Sequence, residues 1–68
     1  MSLVNHLAAF RKEAGLTQAQ LAEAAGVSRK TINTIENRIF VPSTVLALKV
    51  AQVLNVSVHD LFELEEDQ

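Results

Sequence analysis

The sequence contains no cysteine, and this absence excludes two kinds of cross-link, disulfide bonds and metal sites with thiolate ligands. Without a cysteine among its 68 residues, the chain forms no disulfide and offers no thiolate to a metal ion. A chain this short buries only a small core. Its stability therefore has to come from helix packing, and we expect a partner subunit to contribute. The length predicts one domain over residues 1–68.

Long apolar runs are also missing, although apolar residues make up 49% of the sequence. None approaches the roughly 18 residues expected of a helix that spans a membrane. At the N-terminus no basic stretch precedes an apolar run, so we expect no signal peptide. These features predict a cytoplasmic protein without a membrane partner.

Basic residues are few, and they are unevenly distributed along the chain. The formal net charge is −2, but residues 1–49 hold all six Lys and Arg and carry +3. Residues 50–68 hold five acids, no Lys and no Arg, and carry −5. This asymmetry separates a surface suited to phosphates from one that faces away from them. The acidic tail, residues 63–68, also has a simpler interpretation as a solvated segment that keeps the protein soluble.

Residue patterns typical of enzymes are absent. The sequence has no Ser/His/Asp arrangement, glycine-rich phosphate loop or zinc-ligand spacing. His6 and His59 are far apart and have no cysteine companions. So small a chain leaves little room for a pocket. We expect no catalytic residues, no metal and no cofactor.

The apolar residues recur with the period of a helix, and no segment alternates like a strand. In the first segment Leu3, Leu7, Phe10 and Ala14 are three or four residues apart, and Gly15 follows as a typical helix end. The pattern predicts an all-α fold of five helices. The four later helices are predicted over residues 18–25, 29–37, 44–54 and 57–64.

Two of these helices form a helix-turn-helix pattern over residues 17–37. Thr17 and Gln20 have the spacing of a capping box at the start of the second helix. Gly26 permits a left-handed turn after it, and Ser28 is a suitable N-cap for the third helix. Two short helices joined by a tight glycine-containing turn are typical of DNA-binding proteins.

The third helix breaks a local rule at its first turn. Arg29 and Lys30 lie where cations oppose the helix dipole, at a cost of roughly a few tenths of a kcal/mol each. Such violations tend to mark functional sites, and a recognition helix needs its N-terminal side chains near bases and phosphates. The alternative is that both are ordinary solubilising residues. Ile32 and Ile35 share the opposite, inward face.

Several stretches match one known pattern in a single register over residues 5–62. They are Phe10-Arg11, Gly15-Leu16-Thr17-Gln18, Gln20-Leu21-Ala22, Ala25-Gly26-Val27-Ser28, Thr31-Ile32-Asn33, Ile35-Glu36-Asn37, Pro42-Ser43, Ala47-Leu48-Lys49-Val50-Ala51, Asn55-Val56-Ser57-Val58 and Asp60-Leu61-Phe62. In these stretches the chain resembles the Cro/C1-type, lambda-repressor-like helix-turn-helix family, also called XRE. The resemblance implies a five-helix domain, usually a homodimer, that reads a roughly palindromic operator.

The resemblance also implies roles for individual side chains. Gln18 matches a phosphate-contacting position, and Asn37 and Arg38 match a loop that touches the DNA backbone. The full set of predicted DNA-binding residues is Gln18, Ser28, Arg29, Lys30, Thr31, Asn33, Thr34, Asn37 and Arg38. Arg11 and Glu36 match a structural ion pair between the first and third helices.

Position 38 departs from the family, which usually has glycine there. The left-handed conformation that glycine supplies is therefore either strained or absent at Arg38. The arginine offers an additional phosphate contact instead.

The fourth helix is apolar nearly all round, which requires cover on more than one side. Val45 lies on the strip opposite the core-facing residues, where the family is often polar. We expect a dimer face on the fourth and fifth helices, together with Ile39 or Phe40. Its predicted residues are Val45, Leu48, Val53, Leu61 and Phe62. The alternative is that Val45 is a single exposed apolar residue, which is common.

Together these features predict a sequence-specific transcriptional regulator that binds double-stranded DNA as a homodimer, through the major groove of a pseudo-palindromic operator. With no effector domain visible, we expect no small-molecule effector. The alternative function is a protein-interaction module, such as an antitoxin or adaptor, which the negative net charge and the apolar fourth helix favour.

Overall fold

The computed structural model describes residues 3–65, which form five short helices and a two-stranded sheet. In chain order the elements are β1 (Leu3–Asn5), α1 (Leu7–Glu13), α2 (Gln18–Ala25), α3 (Arg29–Glu36), α4 (Thr44–Leu54), α5 (Val58–Leu61) and β2 (Phe62–Leu64). The predicted five-helix architecture is confirmed, and α2 and α4 have the predicted bounds. The end of the predicted acidic tail, residues 66–68, lies outside the described residues.

The sheet corrects the expectation that no segment forms a strand. β1 and β2 pair antiparallel, with Leu3 opposite Leu64 and Asn5 opposite Phe62. The first helix therefore begins at Leu7, and the fifth ends at Leu61 rather than near residue 64. Three-residue strands are too short to show an alternating pattern. Their pairing joins residues nearly a whole chain length apart, which local periodicity does not report.

Polar caps define where the helices begin. The Thr17 hydroxyl accepts from the Gln20 backbone N–H at 3.0 Å, and the Gln20 side-chain oxygen accepts from the Thr17 N–H at 2.8 Å. Ser28 and Ser43 accept in the same way from the third residue of α3 and α4. These bonds satisfy backbone donors that have no partner inside the helix. Gly26, in the left-handed conformation, ends α2 and turns the chain into α3.

The core is assembled from all five helices. Small Ala22 and Ala25 on α2 are buried, which allows α3 to pack closely against it. The buried apolar residues are Leu7, Leu21, Ala22, Ala25, Ile32, Ile35, Leu46, Val50, Ala51, Leu54 and Leu61. Ala14, expected on the inner face of the first helix, follows the end of α1 and is exposed.

Leu61 corrects one residue of the expected dimer face. Its side chain is 0% exposed and belongs to the core, so it cannot contact a second copy of this fold. The short α5 turns this residue inward beneath α4, and the chain then leaves the helix at Phe62 to form β2. The length and direction of a four-residue helix depend on that tertiary packing.

The loop after α3 contains a backbone conformation unusual for its residue type. Arg38 has φ +62° and Asn55, which ends α4, has φ +58°. The left-handed conformation at position 38 is thus retained without glycine. Asparagine visits this region readily, whereas for arginine the Cβ is crowded by the backbone.

Replacing Arg38 with glycine is expected to stabilise the protein. The left-handed conformation costs an L-residue about 1–2 kcal/mol, and the freedom of glycine in the unfolded chain offsets about 0.5–1 kcal/mol of the gain. Urea denaturation should show a net increase of about 0.5–1 kcal/mol in the free energy of unfolding. Asn55→Gly is the matched control and should gain less. A less stable Arg38→Gly protein would show that position 38 is not strained.

Candidate nucleic-acid interface

The two faces of α3 differ sharply in exposure. Ile32 and Ile35 are 0% and 1% exposed and anchor the helix in the core. On the outer face Arg29, Lys30 and Asn33 are exposed and line one shallow cleft. The helix therefore presents two cations and an amide to solvent from a rigidly packed base.

The hydroxyl residues of the predicted set are partly engaged within α3. The Ser28 hydroxyl caps the helix and lies 3.0 Å from the Thr31 hydroxyl. Thr34 is half-buried, and its hydroxyl donates to the Thr31 carbonyl at 2.9 Å. Ser28 is exposed, whereas Thr31 and Thr34 lie at the margin of the outer face and offer less surface than Arg29 or Lys30.

The loop after α3 continues the same surface. Asn37 and Arg38 are both exposed. The Asn37 side-chain amide donates to the Asn33 backbone carbonyl at 2.9 Å and to the Asn33 side-chain oxygen at 3.2 Å. These bonds hold the first residue of the loop against the last turn of α3.

Gln18, at the start of α2, is brought next to α3. Its side-chain Nε2 donates to Glu36 Oε1 at 3.0 Å, and its Oε1 accepts from Asn33 Nδ2 at 3.4 Å. The sequence predicts Gln18 and Asn33 as separate DNA contacts, whereas in the structure their side chains are hydrogen-bonded to each other. The residues are on different helices, so no spacing rule within one helix links them.

Arg11 and Glu36 form a two-point ion pair beneath this surface. Arg11 Nε donates to Glu36 Oε2 at 2.7 Å, and Arg11 Nη2 donates to Oε1 at 3.2 Å. The remaining Nη1 donates to the Leu16 carbonyl at 2.8 Å. The two side chains are only 10% and 7% exposed. Bidentate geometry of this kind joins α1, the turn before α2 and the end of α3.

The charge on the outer face of α3 itself is positive, because Arg29 and Lys30 lie there. The first turn of the helix contains no acid, and the one carboxylate on α3, Glu36, is paired with Arg11. Two acids farther along the chain have local partners: Asp60 caps α5, and Glu63 Oε1 lies 2.8 Å from His6 Nε2. A polyanion would meet little repulsion from α3 itself.

A separate apolar surface lies on α4 and its neighbours. Val41, Val45 and Leu48 are 69%, 64% and 54% exposed. Two adjoining grooves share Leu48 and Val58, and they are lined by Leu3, Val41, Pro42, Thr44, Ala47, Leu48, Val58 and Phe62 on one side and Val45, Leu48, Lys49, Ala51, Gln52, Val56 and Val58 on the other. We call these lining residues the α4 groove.

The other residues of the expected dimer face have different surroundings. Val53 is half-buried and packs on the core, and Phe62 is half-buried at the edge of the α4 groove. Ile39 and Phe40 line a cleft with Lys30, Thr31 and Thr34. They therefore lie beside α3 rather than in the α4 groove.

The described part of the chain lacks two other kinds of site. Residues 3–65 contain no cluster of three or more His, Cys, Asp or Glu side chains able to hold a metal ion. Within the same range, no helix is both long and apolar enough to span a bilayer.

Comparison with known proteins gives a consistent result. A family model described as helix-turn-helix matches residues 7–61. An uncharacterized HTH-type transcriptional regulator of Methanothermobacter thermautotrophicus is 47% identical over 58 residues, which cover 84% of each chain. The HTH-type transcriptional regulator SinR of Bacillus subtilis is 42% identical over 55 residues, 79% of this chain and 50% of SinR, so this chain spans about half of that relative. A crystal structure of SinR, the master regulator for biofilm formation, in complex with DNA matches with a TM-score of 0.74 and 41% identity, over 78% of this chain and 86% of that one.

Loss of the ion pair is expected to destabilise the fold strongly. Arg11→Ala leaves the nearly buried Glu36 carboxylate without its charged partner, which costs about 3–5 kcal/mol. Urea denaturation followed by circular dichroism should show this loss. Lys12→Ala, at the exposed neighbouring position, is the control and should change stability by less than about 0.5 kcal/mol. Similar effects of the two substitutions would show that the ion pair contributes little.

Proposed function

Because the chain belongs to the helix-turn-helix family of the Cro/C1 type, we propose that it is a sequence-specific DNA-binding transcriptional regulator. The observation that carries the proposal is the outer face of α3. Arg29 and Lys30 are exposed at the helix N-terminus, where they oppose the helix dipole, while Ile32 and Ile35 hold the helix firmly from below. A site selected only for stability would have acids there.

In this proposal α3 enters the major groove with its N-terminal side chains against base edges. Arg29 and Lys30 suit the O6 and N7 acceptors of guanine, and Asn33 suits the N6 and N7 atoms of adenine. Gln18, Asn37 and Arg38 surround α3 and contact phosphates, which set the register of the protein on the duplex. The similarity to SinR, whose structure was determined in complex with DNA, supports DNA binding by this fold.

We further propose that the protein binds as a homodimer through the α4 groove. Val45 and Leu48 are large apolar side chains that stay exposed in the single copy, and a stable small domain gains from covering them. One copy measures 38 × 21 × 20 Å. A homodimer that binds a palindromic operator has to place its two α3 helices about 34 Å apart, one turn of DNA. The proposed regulator is cytoplasmic, performs no catalytic step and binds no small-molecule effector.

A second function, a protein-interaction module, is favoured by the same exposed groove and by the net charge of −2. A titration against mixed double-stranded DNA at two salt concentrations distinguishes the two. Phosphate contacts predict a steep loss of affinity as salt rises. An interaction module would bind DNA weakly at both concentrations.

Arg29→Ala is expected to weaken operator binding by about 1–3 kcal/mol and to relax specificity at one base pair. The operator is first selected from random duplexes with the wild-type protein, and the variant is then put through the same selection. Lys12→Ala removes a cation outside α3 and should leave the base preferences unchanged. An unaltered preference at every position for Arg29→Ala would remove this residue from the base-reading set.

Leu48→Glu is expected to disrupt the homodimer. An unpaired carboxylate in the α4 groove would lose its hydration when a second copy covers it, which should raise the dimer dissociation constant by about 100-fold or more. Sedimentation equilibrium measures the change directly. Ala9→Glu, at an exposed position on α1, is the matched control and should remain dimeric. A Leu48→Glu protein that dimerises normally would place the interface elsewhere.

A further inference from the structure

A row of side-chain amides leads from the buried ion pair to the surface of α3. Gln18 Nε2 donates to Glu36 Oε1 at 3.0 Å, Asn33 Nδ2 donates to Gln18 Oε1 at 3.4 Å, and Asn37 Nδ2 donates to Asn33 Oδ1 at 3.2 Å. We call Gln18, Asn33 and Asn37 the amide row. It begins at a carboxylate that Arg11 holds in place and ends at the exposed loop after α3.

The amide row has a direction, and the charge of Glu36 sets it. A carboxylate only accepts hydrogen bonds, so Gln18 has to turn its NH₂ group toward Glu36 and its oxygen away. That oxygen also only accepts, so Asn33 has to turn its NH₂ group toward Gln18. The Asn33 oxygen then faces Asn37. Reversing a single amide would set two oxygens, or two NH₂ groups, against each other.

We propose that Glu36 is a positioning residue for base recognition, because through Gln18 it determines which way round Asn33 presents its amide to DNA. This inference rests on the proposed function. Asparagine reads adenine by accepting from N6 and donating to N7, so its two ends are not interchangeable. The amide row uses one hydrogen of the Asn33 NH₂ group and one lone pair of its oxygen. The other hydrogen and lone pair stay available for a base.

A purely structural Glu36 and a positioning Glu36 predict different results. If Glu36 only joins α1 to α3, its loss weakens binding to all sequences by similar factors. If it orients Asn33, its loss flattens the preference at one base pair, the pair that Asn33 reads. That pair is identified first, as the position at which Asn33→Ala loses discrimination.

The central experiment is Glu36→Gln followed by selection from random duplexes. Glutamine keeps the shape of the Glu36 side chain and one oxygen that accepts from Arg11. Either its oxygen or its NH₂ group can face Gln18, so it no longer sets the direction of the amide row. The preference at the Asn33 base pair should fall about tenfold, with changes below about twofold elsewhere. Glu23→Gln, an exposed position on α2, removes the same charge and should alter no position. In an Asn33→Ala background, Glu36→Gln should have no further effect at that base pair.

Gln18→Leu provides a second route that leaves the Arg11–Glu36 pair intact, in case Glu36→Gln does not fold. It should lower the sequence preference of the protein at the same base pair. Because Gln18→Leu also removes a proposed phosphate contact, a uniform loss of affinity is expected in addition. If the two variants keep the wild-type preference at the Asn33 base pair, the positioning role is overturned. The side-chain amide NMR signals of Asn33 in free protein should shift in both variants and not in Glu23→Gln, and unshifted signals would overturn the amide row itself.

A wild-type protein without any sequence preference would instead overturn the proposed function, and the base-reading role with it.

Discussion

The geometry of the candidate DNA-binding surface depends on the ion pair between Arg11 and Glu36. Burying two charges is costly, and the pair offsets that cost because every part of the arginine fork has an acceptor: two carboxylate oxygens and the Leu16 carbonyl. Apolar packing of α3 against α2 is less directional than this contact. Burial of Ile32 and Ile35 holds α3 in the core, and the ion pair in addition fixes the position of the end of the helix.

The same surface collects the features that a more stable protein would avoid. Arg29 and Lys30 oppose the dipole of α3, and Arg38 adopts a left-handed backbone without being glycine. All three cations are exposed, Arg29 and Lys30 at the N-terminus of α3 and Arg38 in the loop after its C-terminus. Local costs of this kind on one helix and its following loop are typical of a binding surface, where charge and shape are kept for the ligand at the expense of stability.

The short length of the chain explains why apolar side chains stay exposed although the domain has a buried core. Eleven buried apolar residues from five helices form the core within the described residues, yet Val41, Val45 and Leu48 on and beside α4 remain exposed. A chain of this length has too few residues to cover α4 on every side. The cationic face of α3 and the α4 groove are lined by different residues, so one copy can use both at once.

Much of this architecture follows from the sequence, because it depends on residues a few positions apart. The capping box of Thr17 and Gln20, the left-handed turn at Gly26 and the inward pair of isoleucines are all local patterns, and the bounds of α2 and α4 follow from them. The family resemblance adds the residues of the ion pair.

Only the tertiary structure decided that residues 3–5 pair with residues 62–64, that Leu61 points into the core, and that Gln18, Asn33 and Asn37 form one row. Sheet pairing and side-chain networks of this kind join distant positions, and they arise from how the helices pack, which no spacing along a single helix encodes.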